Sequence, residues 1–197
     1  HMKNVKGAKG LIIVLVLVLM VVGYFYYLSN RDYADRHEED VVITPVKELL
    51  LKDFSKNYPP TPKEVVKQYL EFTKVLHNEE LNDEEVEAVG LKLEELFDDE
   101  LKNAKSDEEY IKDLKSELTT FKDNDYSIVN MYTSSSTDVE EFNMDGYEVA
   151  RLYGTFNVRT KDGTKILQEV FILRKEQSTG HWKVYGFAPV TDDESAE

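Results

Sequence analysis

The chain has 197 residues, no cysteine and a net charge of −15, with 24 Lys and Arg residues against 39 Asp and Glu residues. The lack of cysteine excludes disulfides, thiolate metal sites and attachment of a lipid to cysteine. The negative charge disfavours binding to nucleic acid, because the phosphate backbone would be repelled. We therefore expect no nucleic-acid partner.

The first predicted element is an uncharged apolar segment at residues 10–28, GLIIVLVLVLMVVGYFYYL. At ~1.5 Å per residue, a helix of this length nearly crosses the ~30 Å hydrocarbon core of a bilayer. A cleaved signal peptide is the alternative, but the segment ends in bulky aromatic residues rather than the small residues that a cleavage site needs. Aromatic residues are typical of a membrane interface. The pattern predicts one transmembrane helix that anchors the protein in the lipid bilayer.

The charges on either side of this segment predict its orientation. Residues 1–9 contain three lysines and no acidic residue, whereas the chain after residue 28 has 21 basic and 39 acidic residues, a net charge of −18. Positive charge is enriched on the cytoplasmic side of membrane helices. We predict a single-pass protein of the cell membrane with a cytoplasmic N-terminus, residues 1–9, and an extracellular C-terminal domain.

The segment after the span is predicted to be a spacer followed by one folded domain. Residues 29–44 are polar and lack apolar periodicity, which indicates a spacer. Thr44 and Pro45 are typical of a helix start, and Val46 and Leu49 would then lie on one apolar face. We expect the α+β domain to cover residues 45–190 and residues 191–197 to form an acidic, disordered tail.

Three further helix starts share one pattern, a capping residue followed three positions later by Glu. This pattern can form reciprocal hydrogen bonds at a helix N-terminus. It occurs at residues 61–64, 82–85 and 106–109. Apolar residues at helical spacing follow each start, so each helix has only one apolar face. A sheet is expected to cover these faces.

From Tyr126 onward the apolar period changes from that of a helix to that of a strand. Turns that contain Gly146, Gly163 and Gly180 delimit strands at about 126–134, 147–160, 165–175 and 181–188, with a short edge strand near 139–142. Successive hairpins imply antiparallel pairing. Gly154, within the longest strand, indicates a bend or bulge. The predicted fold class is α+β, with three helices packed on a strongly curved antiparallel sheet that forms a cone.

This order of elements resembles the nuclear transport factor 2-like superfamily, whose cone-shaped α+β fold is shared by ketosteroid isomerase-like and SnoaL-like proteins. The segments 57–66, NYPPTPKEVV, and 182–187, WKVYGF, are also similar to an uncharacterised family of membrane-anchored proteins from Gram-positive bacteria of the Firmicutes type. The resemblance covers about residues 46–190. It implies an extracytoplasmic domain of unknown function and supplies no catalytic residues.

The strands that should line such a cone carry several polar side chains without a recognisable motif. The residues expected to line a cavity are Asn130, Tyr132, Arg151, Tyr153 and Asn157. Simple packing along a curved sheet is the alternative interpretation of these side chains. The pattern identifies none of them as catalytic.

Other candidate sites in the sequence have ordinary structural explanations. His77 is interpreted as a cation at the end of a helix and His181 as an exposed residue beside a turn. The acidic runs 98–100 and 123–125 do not have the spacing of a calcium-binding loop, so solvated charge is the preferred interpretation. The histidines do not have the spacing of a transition-metal site. We predict no catalytic residue, no cofactor and no metal.

Three hypotheses for function follow. The first is a non-enzymatic module that binds an unidentified envelope protein or a small ligand; a variant makes it part of an envelope secretion or conjugation assembly, as in VirB8-type proteins. The second is a SnoaL-like small enzyme acting on an envelope or secreted substrate, which requires a pocket with a buried acid or His beside Tyr. The third, a homodimer through the outer sheet face, is compatible with both and predicts apolar outward positions such as Val149 and Ile172.

Overall fold

The computed structural model describes residues 43–191 together with Met20. The chain divides into two units, residues 1–42 and 43–197. Apart from Met20, the predicted span at 10–28 and the spacer up to residue 42 lie outside the described residues, as do residues 192–197 of the predicted tail. None of the helices in the described part is long and apolar enough to cross a membrane.

The second unit begins with five α-helices. They are α1 (Pro45–Leu50), α2 (Pro62–Asn78), α3 (Asp83–Leu93), α4 (Asp99–Asn103) and α5 (Asp107–Asp123). One turn of 3₁₀ helix, Glu94–Leu96, continues α3. The sequence predicted α1, α2, α3 and α5, whereas α4 was missed because its acidic start was interpreted as solvated charge.

The helices begin where their capping residues predict. Thr61, Asn82 and Ser106 each accept a hydrogen bond from the backbone amide of the Glu three positions later, at 3.2, 2.8 and 3.2 Å. At Asn82 the Glu85 side chain also accepts from the backbone amide of Asn82, at 3.3 Å, which completes the reciprocal pair. These local bonds satisfy amides that have no partner within the helix. The predicted helix starts are confirmed.

Five strands form one antiparallel sheet after the helices. They are β1 (Ser127–Thr133), β2 (Glu140–Met144), β3 (Tyr147–Thr160), β4 (Gly163–Lys175) and β5 (Trp182–Pro189). The order is β1–β3–β4–β5, and β2 also pairs with β3. Gly146, Gly163 and Gly180 have φ of 84°, 123° and 74°, the left-handed region that favours glycine. The predicted α+β class and antiparallel pairing are confirmed.

The helices pack on one face of this sheet, here called the inner face. Leu152 and Phe156 of β3 and Phe171 of β4 lie on it and share a core with α2 residues such as Leu70 and Phe72. Residues of the opposite face, here called the outer face, alternate with residues of the inner face along each strand. The core is therefore held between the helices and the inner face.

Gly154 is required for close packing rather than for a bulge. The pairing of β3 with β4 continues without a shift through Gly154 and its partner Glu169, so the expectation of a bulge at this position is wrong. A Cβ atom at residue 154 would lie 2.8 Å from Phe171 Cε2 and 3.0 Å from Leu70 Cδ2. The missing side chain lets α2 and Phe171 approach the strand. The register shifts occur in β1 and β5 instead.

The predicted apolar positions Val149 and Ile172 share the outer face. Val149 lies two positions from Arg151 on β3, so the two share a face, and Arg151 pairs with Ile172 on β4. Val149 is fully buried, whereas Ile172 is half-buried. A homodimer through this face stays a prediction.

An ion pair ties the start of α4 to the edge of the sheet. The Asp98 amide donates to the Val184 carbonyl at 2.8 Å. Its carboxylate accepts two hydrogen bonds from Arg174, at 2.7 Å from Nη2 and 3.0 Å from Nε. The guanidinium lies over the rings of Tyr147 and Tyr185, at 4.4 and 4.6 Å from their centroids. Asp98 is only 6% exposed, so the interpretation of residues 98–100 as solvated charge is wrong for this residue.

Candidate functional site

A cavity of about 350 Å³, here called the inner cavity, opens between the helices and the inner face of the sheet. Helices α2 and α5 and strand β4 each contribute wall residues. Small-ligand sites typically have volumes of ~300–1,000 Å³ and a few polar groups on apolar walls. The inner cavity is at the lower end of that range.

Glu169 is the polar residue that β4 contributes to the inner cavity. It pairs with Gly154, which has no side chain, and it lies on the same face of β4 as the buried apolar residues Phe171 and Leu173. Its Oε2 atom is buried and has no hydrogen-bond partner among the described residues. Burial raises the pKa of Glu169, nearby Glu117 raises it further, and His77 lowers it. Glu169 is thus a carboxyl group whose hydrogen bonding is incomplete.

His77 lies in the wall opposite the sheet and is 8% exposed. Its Nδ1 atom is 2.7 Å from the Thr73 carbonyl oxygen, and its Nε2 atom is 3.0 Å from Glu117 Oε1. A carbonyl oxygen only accepts, so Nδ1 carries a proton. Nε2 also faces an acceptor, the Glu117 carboxylate. A hydrogen bond between His77 and Glu117 therefore requires one further proton between these two groups. The interpretation of His77 as an ordinary helix-end residue is therefore incomplete.

Four aromatic rings form much of the remaining wall: those of Tyr69, Phe97, Tyr110 and Phe187. The ring centroid of Tyr69 is 5.4 Å from that of Phe187 and 6.4 Å from that of Phe97. Burial raises the pKa of Tyr69, and the charge of Glu169 adds to this effect. Burial also raises the pKa of Tyr110, whose hydroxyl donates to the Gly90 carbonyl at 3.2 Å. Both phenols are therefore neutral at physiological pH.

The charged groups of the inner cavity are mainly acidic. Four carboxyl groups and two lysines line it, in addition to His77. Lys105 Nζ is 2.7 Å from Asp113 Oδ2, so one lysine is already paired. Glu94 is 2% exposed, and burial together with neighbouring Asp107 raises its pKa. The lining as a whole favours a ligand that donates hydrogen bonds or carries positive charge.

The residues that the sequence predicted to line a cavity lie elsewhere. Arg151, Tyr153 and Asn157 are on the outer face of β3, and Arg151 Nη2 donates to Tyr153 Oη at 3.0 Å. Asn130 and Tyr132 are their neighbours on β1, and both are exposed. None of these five residues lines the inner cavity.

The sequence contained a signal for Glu169 and His77 that the predictions did not use. Glu169 interrupts the alternating set Leu167, Phe171 and Leu173, where an acid on an apolar face is unusual. His77 follows Leu70 by seven positions and so lies on the buried stripe of α2. A charged or polar residue within an apolar stripe would have identified both.

Two other features do not compete as sites. A larger cleft of about 650 Å³ adjoins the connection between α1 and α2, and Gln68 Oε1 in its lining is also buried without a partner among the described residues. This oxygen belongs to a neutral amide, the acids Asp53 and Glu64 are exposed, and Glu71 lies 3.7 Å from Lys52 Nζ. His181 stacks on Tyr58 with ring centroids 4.1 Å apart, away from the inner cavity. Within residues 43–191, no three His, Asp or Glu side chains are grouped to hold a metal ion.

Comparison with known proteins identifies a family. Residues 2–187 match the family model described as "Domain of unknown function (DUF6715)", a match that includes the predicted span and nearly all of the α+β unit. No curated protein and no solved structure matches the chain. Because the match covers most of the 197 residues, the chain belongs to the DUF6715 family of unknown function.

Proposed function

We propose that the protein is a membrane-anchored, extracytoplasmic module that binds a small ligand in the inner cavity. The anchor is the apolar segment 10–28, and the lysines before it are the basis for a cytoplasmic N-terminus. Helices on one face of a five-stranded antiparallel sheet support assignment of the domain to the nuclear transport factor 2-like fold. The lipid bilayer and a small ligand are then its two partners.

The observation that carries the ligand-binding proposal is the Oε2 atom of Glu169, which has no hydrogen-bond partner in the part of the chain that the structure describes. A buried polar atom without a partner costs free energy, about 1–3 kcal/mol. Such atoms are rare in folded domains. Gln68 Oε1 and Asn157 Oδ1 are also buried without a partner among the described residues, but of the three only Glu169 lines the inner cavity and is a carboxyl group. A ligand that donates a hydrogen bond to Glu169 in the inner cavity would recover this free energy. The protein is expected to gain stability when that ligand binds.

The binding proposal can be tested by ligand-observed NMR with a fragment library and the full chain in a maltoside detergent. Ala104 is exposed at the edge of the inner cavity, so Ala104→Trp should block the cavity without disturbing the core. Ala188 is exposed on β5 outside the cavity, and Ala188→Trp is the matched control. Fragments should bind the wild type and Ala188→Trp but not Ala104→Trp. Equal binding to all three proteins would contradict the proposal.

The orientation in the membrane has a separate test, because the chain has no native cysteine. Ser178→Cys, in the turn before β5, should react in intact cells with a maleimide that does not cross membranes. Asn4→Cys should react only after the cells are lysed. Labelling of Asn4→Cys alone in intact cells would reverse the orientation.

A second candidate function is a small enzyme that uses Glu169 as a general base. The specific observation is that Glu169, His77 and Tyr69 line one cavity, which is the combination that the enzyme hypothesis requires. Burial raises the pKa of Glu169, as is common for catalytic carboxyl groups. Turnover of a metabolite panel that Glu169→Gln abolishes would favour the enzyme. Binding without turnover favours the module.

A further inference from the structure

We propose that the ligand of the inner cavity is a small organic cation, a quaternary or protonated amine with an apolar body. This inference rests on the proposed ligand-binding function and specifies its ligand class. It combines three observations: the unpartnered oxygen of Glu169, the acidic lining and the aromatic walls.

Two of the four carboxyl groups of the inner cavity already have a partner, which leaves Glu94 and Glu169. Asp113 is paired with Lys105 at 2.7 Å, and Glu117 is held by His77 at 3.0 Å. Of the other two, Glu169 has a buried oxygen, Oε2, without a hydrogen-bond partner within residues 43–191. A protonated amine would donate the missing hydrogen bond to Glu169, and a quaternary ammonium would supply the opposite charge in a low-dielectric environment, where charge pairing is strong.

The four aromatic rings of the lining lie close together. Tyr69, Phe97 and Phe187 form a cluster with ring centroids 5.4–6.5 Å apart. Tyr110 extends this cluster, with its centroid 6.2 Å from that of Phe97. Aromatic rings bind quaternary ammonium ions through the negative potential of their faces. The same rings would bury the apolar part of the ligand.

Anions and large cofactors fit these walls poorly. An anion would meet four carboxyl groups, and the pairing of Lys105 leaves Lys102 as the other lysine of the lining. A volume of about 350 Å³ suits a ligand of the size of choline and is too small for a dinucleotide. A neutral ligand remains the main competitor, and it is the comparison in the experiment.

The test is isothermal titration calorimetry of the full chain in a maltoside detergent, since zwitterionic headgroups would compete with the probes. The probes are trimethylammonium, which is a protonated amine, and the quaternary ions choline and benzyltrimethylammonium. The neutral compound 3,3-dimethyl-1-butanol has the shape of choline without its charge. We expect choline to bind at least about tenfold more tightly than the alcohol, because both have a hydroxyl group but only choline has a positive charge that attracts the Glu169 carboxylate and the aromatic faces.

Two variants assign this preference to Glu169. Glu169→Gln keeps the size of the side chain and removes its charge, so the preference for choline over the alcohol should fall to about threefold or less. Glu141→Gln makes the same chemical change at an exposed position on β2 and should keep the full preference. Circular dichroism of each variant confirms folding before titration.

Each outcome decides the inference. Equal or tighter binding of the neutral alcohol would overturn the proposal that the ligand is a cation, while the proposed ligand-binding function would stand. No saturable heat with any of the three ammonium ions up to about 10 mM would also overturn it. Failure of the module itself is recognised separately, as equal fragment binding to the wild type and Ala104→Trp. A preference that survives in Glu169→Gln would contradict the role of Glu169.

Discussion

Asp98 and Glu169 are both acids at the edge of the core, but their surroundings differ. Asp98 receives two hydrogen bonds from Arg174, and both side chains are largely buried, at 8% and 15% exposure. Glu169 has a buried oxygen that lacks a hydrogen-bond partner in the described part of the chain. A buried charge with a complete set of partners is a structural element, whereas an incomplete one indicates a place for a ligand. The comparison therefore separates an acid that stabilises the fold from an acid that is available to the proposed ligand.

The largest expected effect is a loss of stability when Asp98 is changed. Asp98→Asn keeps the shape but leaves the Arg174 guanidinium without its main partner, and removal of one partner of a buried pair typically costs ~3 kcal/mol. Urea unfolding followed by the fluorescence of Trp182, the single tryptophan, measures the change. Glu140→Gln is the control, since Glu140 and Arg151 form an exposed pair at 3.8 Å. That control should lose less than about 0.5 kcal/mol. A loss of under about 1 kcal/mol in Asp98→Asn would refute the structural role.

The next effect concerns the backbone opposite Glu169. Gly154→Ala places a methyl group against the Phe171 ring and Leu70, and overpacking of this kind costs about 2 kcal/mol. Gly186→Ala on β5 is the matched control, because a Cβ there meets no atom within 4 Å. The same unfolding assay should show little change for Gly186→Ala. Equal stability of the two variants would mean that α2 does not approach the sheet as closely as described.

The smallest effect has the opposite sign and depends on pH. The pKa of Glu169 is raised in the folded state above its ordinary value of 4.5 by burial and by Glu117, and it is lowered by His77. The protonated form is therefore favoured on folding, so the stabilisation present below pH 4.5 is lost as pH rises through the folded pKa. Glu169→Gln should raise the free energy of unfolding by about 1 kcal/mol at alkaline pH and leave it unchanged at low pH.

Unfolding of the wild type and Glu169→Gln across this pH range checks the prediction. Glu141→Gln should track the wild type throughout, because Glu141 is exposed. A Glu169→Gln variant that is less stable than the wild type at alkaline pH would show that Glu169 has a structural partner like that of Asp98.

Most helix starts and strand limits were predictable because their causes are local. The Asn82 amide donates to the Glu85 side chain only three positions away, and the turn at Gly146 needs only its own backbone conformation. Strand β3 was predicted with its observed limits, 147–160. Local chemistry of this kind is visible in a single sequence.

The site was less predictable because it depends on distant residues. Glu169 faces the helices because of its register with Gly154, and Glu117 reaches His77 from a helix 40 positions further along the chain. The polar residues of β3 are conspicuous in the sequence, but they lie on the outer face of the sheet, away from the inner cavity. An alternation of residues with period two shows which residues share a face of the sheet, but it does not show which face meets the helices.

The most direct test is the pKa of Glu169, measured from its carboxyl ¹³C resonance with and without choline. The carboxyl should titrate above its ordinary value of 4.5 in the free protein. Saturating choline should lower that pKa, because a bound cation stabilises the ionised form. A Glu169 carboxyl with an ordinary pKa that choline does not change would contradict the account of the inner cavity.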